Sequence, residues 1–131
     1  MDDRMTARKD GVFIAPKVAG STIIHGGHMV AANGDGFAVP AADAANLTVL
    51  GVSQEYVDNG AGAPGAKRVE AMRKNAFHLA NDDTHPITQA DVGKIAYVKD
   101  SVTVTTAAGA SNDVVAGTVL DLDAGGVWVE I

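Results

Sequence analysis

The chain has 131 residues, no cysteine and a formal net charge of −6, from 10 Lys+Arg against 16 Asp+Glu. The absence of cysteine excludes thiol catalysis, disulfide scaffolding and thiolate metal sites, and the acidic balance argues against nucleic acid as a partner. No apolar run approaches the roughly 20 residues that cross a bilayer, and charges between Asp2 and Asp10 break up any signal-peptide layout, so no membrane partner is expected.

Ala (23) and Val (17) supply two thirds of the hydrophobic residues, Leu only 5, and Gly is abundant at 15. Little Leu with much Val, Thr and Gly predicts short strands joined by tight turns rather than a helical bundle. Small side chains bury little area each, so the core is expected to be thin and stability to draw partly on partners.

Residues 1–21 read as an N-terminal arm: charge-mixed to Asp10, with Phe13 and Ile14 as an apolar touch-down. A single β domain is expected over 22–131. Thr22 to His25 is strand-like and ends at Gly26-Gly27. Met29 to Ala32 and Phe37 to Val39 flank Asn33-Gly34-Asp35-Gly36, the strongest short hairpin signal in the chain. Leu47 to Val52 reads as a buried strand, and 58–66 as a mobile Gly/Pro loop.

Residues 69–79 are ambiguous. Val69, Met72, Ala76 and Leu79 fit a helical stripe, yet Ala76-Phe77-His78-Leu79 alternates; strand is favoured, with helix as the alternative. Thr88 to Gly93 predicts one helical turn capped by Thr88 and closed by Gly93. Ile95–Val98 with Val102–Thr105, and Val114–Leu122 with Val127–Val129, predict two further hairpins, the second turned by 123–126. The expected fold is an all-β sandwich or barrel, jelly roll included, with at most one or two helical turns. At an offset of 66, Gly27, Gly51 and Gly60 fall on Gly93, Gly117 and Gly126, which suggests two related motifs of four strands each.

The search for chemistry yields no catalytic set. No serine stands in a nucleophile elbow, no glycine pair opens a phosphate-binding helix, and Asp121 and Asp123 read as a solvated face. His25 and His28 are spaced i, i+3 across two glycines, a weak basis for a metal site. No enzyme activity, cofactor or metal is expected. Lys67, Arg68, Arg73 and Lys74 hold four of the ten cations, either as a solvated face or as a segment that docks on an acidic surface.

Ile87-Thr88-Gln89-Ala90-Asp91-Val92-Gly93-Lys94-Ile95-Ala96-Tyr97-Val98, the stretch Val115 to Asp123 and the ending Gly126-Val127-Trp128-Val129 resemble capsid decoration (cement) proteins. These are encoded beside the major head protein in Mu-like and related tailed bacteriophages and prophages. The resemblance covers 69–131 well and 22–60 loosely. It implies a homodimeric or homotrimeric all-β structural protein of the virion that binds the outer capsid surface and reinforces the major capsid protein shell. The segments 1–21 and 58–74 match no motif of the family. Expected contact residues are Phe13 and Ile14 in the arm and Lys67, Arg68, Arg73 and Lys74 in the basic segment. Trp128 is expected in the core or at a subunit interface. The rival readings are a carbohydrate- or surface-binding β module, which needs an exposed aromatic platform, and a histidine-metal barrel enzyme.

Overall fold

The computed structural model describes residues 1–131. It is all-β and forms one small domain of twelve short strands: β1 (Phe13–Ile14), β2 (Thr22–Ile24), β3 (Met29–Ala32), β4 (Ala38–Pro40), β5 (Thr48–Ser53), β6 (Val57–Asn59), β7 (Ala71–Met72), β8 (Ala76–Asn81), β9 (Ile95–Val98), β10 (Thr103–Thr105), β11 (Val115–Asp123) and β12 (Gly126–Glu130). The only helical elements are 3-10 turns at Gln89–Asp91 and Ala107–Gly109. The first lies where a helical turn is expected: the Thr88 N–H donates to the Asp91 carboxylate at 2.8 Å, and Gly93 closes it with φ +86.

The strands sort into two units of the same topology. In the first, the order is β1-β7-β5-β3-β4; in the second, β8-β12-β11-β9-β10 closes into a barrel where β10 meets β8 in parallel. The first sheet stays open, although one isolated parallel bridge, Val18 to Ala38, links the chain after β1 to β4 near the corresponding place. The registers match as well. Met29 faces Val52, Val30 faces Gly51 and Ala31 faces Val49, with Leu50 bulged out. Sixty-six residues on, Ile95 faces Thr118, Ala96 faces Gly117 and Tyr97 faces Val115, with Ala116 bulged out. The Gly27 N–H bonds the Ser53 carbonyl and the Gly93 N–H the Val119 carbonyl, both at 2.8 Å.

The chain therefore contains a duplicated five-stranded motif, one strand larger per half than the glycine spacing suggests. Two of the three glycine coincidences mark equivalent positions. The third does not, because Gly60 follows β6, an extra strand that pairs only with β2, while Gly126 opens β12.

Two hydrophobic cores result. Val18, Ile24, Val30, Ala38, Val57 and Val69 fill the first unit. The larger core fills the second barrel and takes in Met29, Ala31, Ala41 and Val52 from the first. On β3 the alternation of a strand sends Val30 to the first core and its neighbours Met29 and Ala31 to the second, so both faces are buried. Shared burial makes the two units one domain.

Three expectations need correction. Residues 12–19 do not belong to a free arm: β1 pairs with β7, and Val18 is fully buried. A two-residue strand is too short to show in a periodicity, and only residues 1–10 are exposed without regular structure. Second, 58–66 is not loop throughout, since Asn59 ends β6 and its buried amide donates to the Ala19 and Ala63 carbonyls at 2.9 and 3.1 Å. Third, 69–79 is neither one helix nor one strand. β7 ends at Met72, the chain turns at 73–75 with Lys74 at φ 59, and β8 starts the second unit.

Candidate functional site

The pairing of β1 with β7 brings Phe13 and Ile14 next to the segment that carries Lys67, Arg68, Arg73 and Lys74, more than 50 residues away in sequence. Phe13 is opposite Met72 and Ile14 opposite Ala71. Lys67 and Arg68 precede β7, and Arg73 and Lys74 follow it, so the cations flank the strand on both sides. The main chain ties the edge down: the Arg73 N–H bonds the Val12 carbonyl at 2.8 Å, and Lys17 bridges Arg68.

All four basic side chains are exposed. Lys67 Nζ donates to the Asp58 carbonyl at 2.6 Å, and an Arg68 guanidinium nitrogen to the Ala15 carbonyl at 2.8 Å. None meets a carboxylate, because the ion pairs of the molecule are His78–Asp123 and His85–Asp82. Phe13, 47% exposed, adds an apolar group beside these cations, and exposed Glu70 stands between the two basic pairs. Such an edge is suited to an acidic surface that offers an apolar seat.

Trp128 lies elsewhere and is not in the core. On β12 it faces His78 of β8 and projects outward, 39% exposed. Alternation puts Val127 and Val129 inside and so forces the tryptophan out. Its Nε1 donates to Asp123 Oδ2 at 3.2 Å, His78 Nε2 lies 3.0 Å from Asp123 Oδ1, and the His78 and Trp128 rings are 4.9 Å apart. The pairing with His78, then the Gly125 N–H, holds the Asp123 carboxyl below the usual carboxylate range. Asp123 is thus an anchored member of a surface trio, which neither its spacing from Asp121 nor any local motif reveals.

Asp43 was also not singled out by sequence. Its carboxylate accepts the Ser111 and Asn112 N–H groups, each at 2.8 Å, and so joins the first unit to the second. The Ser111 amide is the main cause of its lowered pKa, and partial burial opposes it. The four histidines remain apart from any acidic cluster that could complete a metal centre: His25 stacks near His28 and Tyr56, both at 5.4 Å, and His28 Nδ1 lies 2.8 Å from Ser101 Oγ. No group of three His, Asp or Glu side chains is placed to hold a metal ion.

Fold and surface define a class: a small all-β domain of two related five-stranded units, the second closed into a barrel, with basic residues flanking one strand edge. The chain matches no protein-family model, no curated protein and no solved structure.

Proposed function

We propose that this protein is a structural component of a bacteriophage virion that binds the outer surface of the capsid and reinforces the major capsid protein shell. The observation that carries the reading is the β1–β7 edge. There Phe13 lies opposite Met72, and four exposed cations with no carboxylate within ion-pair distance precede and follow the strand, although the chain as a whole is acidic. The resemblance of 87–98 and 115–129 to decoration proteins supports the same reading. Reinforcement then needs no chemistry, since anything that binds only the assembled shell stabilises it by mass action.

The test is co-sedimentation with heads assembled from the neighbouring major capsid protein, in expanded and unexpanded form. Saturable binding that raises the heat resistance of the shell is expected, as is its loss when Lys67, Arg68, Arg73 and Lys74 are changed to Gln. No binding to either form overturns the reading. The exposure of Trp128 beside His78 favours one alternative, a carbohydrate-binding β module; a sugar affinity that Trp128→Ala abolishes would establish it.

A further inference from the structure

The turn from β2 to β3 brings two imidazoles together. Ile24, the last residue of β2, pairs with Val57, and His25 follows it into Gly26-Gly27. Gly27 takes φ +80, and the His28 N–H reaches back to the His25 carbonyl at 3.4 Å, so the chain reverses between the two histidines. Their ring centroids end 5.4 Å apart. The planes are tilted by 43°, which is neither the offset-stacked nor the edge-to-face arrangement that two rings prefer. His25 is exposed and His28 half-buried, so the pair is open to solvent.

The separation fits two ligands of one metal ion. A tetrahedral Zn²⁺ stands about 2.0–2.1 Å from each imidazole nitrogen, hence about 3.2 Å from each ring centroid, and two such arms put the centroids about 5.2 Å apart. The hydrogen bonding fits as well. His28 Nδ1 lies 2.8 Å from Ser101 Oγ, which belongs to the β9–β10 turn of the second unit. A ligating histidine commonly has its other ring nitrogen fixed in this way, and Nε2 of His28 is left for an ion. The His25 ring lies beside those of His28 and Tyr56 and makes no hydrogen bond. The remaining histidines differ, since His78 and His85 each face a carboxylate.

We infer that His25 and His28 form a two-imidazole site for a divalent cation of the Zn²⁺ class. Imidazole suits Zn²⁺, Ni²⁺ and Cu²⁺, whereas Mg²⁺ takes oxygen ligands. Two protein ligands are fewer than the three or four of a catalytic or structural centre, so water fills the other positions and the affinity is modest. The i, i+3 spacing alone does not give this arrangement; the reversal at Gly27 and the brace from Ser101 supply it. The inference stands apart from the capsid reading, because Phe13, the four cations of the β1–β7 edge and Trp128 take no part in it.

Titration calorimetry of the untagged full chain with ZnCl₂ near neutral pH is expected to show one Zn²⁺ bound per chain, with Kd between about 10 μM and 1 mM. His25→Asn and His28→Asn are each expected to weaken binding at least ~10-fold, because a single imidazole loses the gain of a second, tethered ligand. His78→Asn and His85→Asn should leave it unchanged, and excess Mg²⁺ should not compete, which separates the site from loose attraction to an acidic chain. If a variant fails to fold, NMR of the wild-type histidine rings decides: Zn²⁺ should shift the His25 and His28 resonances and leave those of His78 and His85 in place. No binding up to about 1 mM, full affinity without His25 or His28, displacement by Mg²⁺, or shifts centred on His78 or His85 overturns the inference.

Discussion

Gly51 and Gly117 are the same residue of one motif used twice. Gly51 faces Val30 on β3, and Gly117 faces Ala96 on β9. A Cβ on Gly51 would sit 2.5 Å from the Met72 carbonyl oxygen, and one on Gly117 would strike the equivalent Glu130 carbonyl. Each glycine lets the neighbouring strand pass over a bulge at a distance no side chain permits.

This leads to a graded prediction. Gly51→Ala and Gly117→Ala are each expected to destabilise by about 2–3 kcal/mol, since backbone must shift to admit the methyl group. Gly27 and Gly93, at φ +80 and +86, have open space around them. Their alanine variants face only the left-handed backbone cost of about 1 kcal/mol. Urea unfolding of the four variants tests the order.

Met29 lies at the junction of the units, fully buried in the larger core. Met29→Ala is expected to cost about 3 kcal/mol through lost burial and a residual cavity. Unfolding should remain one transition, because the core that is damaged belongs to both units. Two separate transitions in calorimetry would contradict a shared core.

Asn81 braces the long connection before β9. Its Nδ2 donates to the Ile87 carbonyl and its Oδ1 accepts the Ile87 N–H, both at 2.8 Å. Asn81→Ala leaves both peptide groups of buried Ile87 without their partner, at a cost of about 2 kcal/mol. The Ile87 amide should exchange with solvent much faster in the variant, and hydrogen exchange followed by NMR measures this.

Acid should loosen the junction between the units. Asp43 and Asp82 both titrate below the ordinary carboxylate range, Asp43 chiefly through the Ser111 amide and Asp82 chiefly through the Thr84 amide, then the Thr105 hydroxyl. As pH falls through the usual carboxylate range, the unfolded chain takes up protons before the folded one does. The stability these carboxylates supply is therefore complete at neutral pH and lost as the folded groups protonate. Melting temperatures measured from pH 7 down to pH 2 should show this decline, and Asp43→Asn should make it shallower.

Much of the local structure was legible in the sequence. Asn33-Gly34 and the 123–126 turn announce their hairpins, Thr88 and Gly93 bound the 3-10 turn, and alternation in 76–79 marks β8. The repeat was visible at Gly27, Gly51, Gly93 and Gly117, where close approach or a positive φ excludes other residues. The strands it relates were harder to see. β1, β6 and β7 hold two or three residues each, too few for a period to emerge, and their existence depends on partners distant in the chain. The basic strip was read as two separate segments, and of the two places expected for Trp128, the core or a subunit interface, its exposure excludes the core.

What the sequence determined by itself is which residues of a strand share a face, because side chains alternate along any extended backbone. It also determined where the chain turns, because glycine and asparagine tolerate the dihedral angles that turns require. Only the tertiary structure decided what lies against each face. Met29 and Ile95 are both apolar and occupy the same motif position, yet one is sealed and the other open. The difference comes from which unit packs on which, a non-local matter that no window of sequence encodes. The same holds for the basic strip, where a strand pair joins residue 13 to residue 72 and sets Phe13 among the cations.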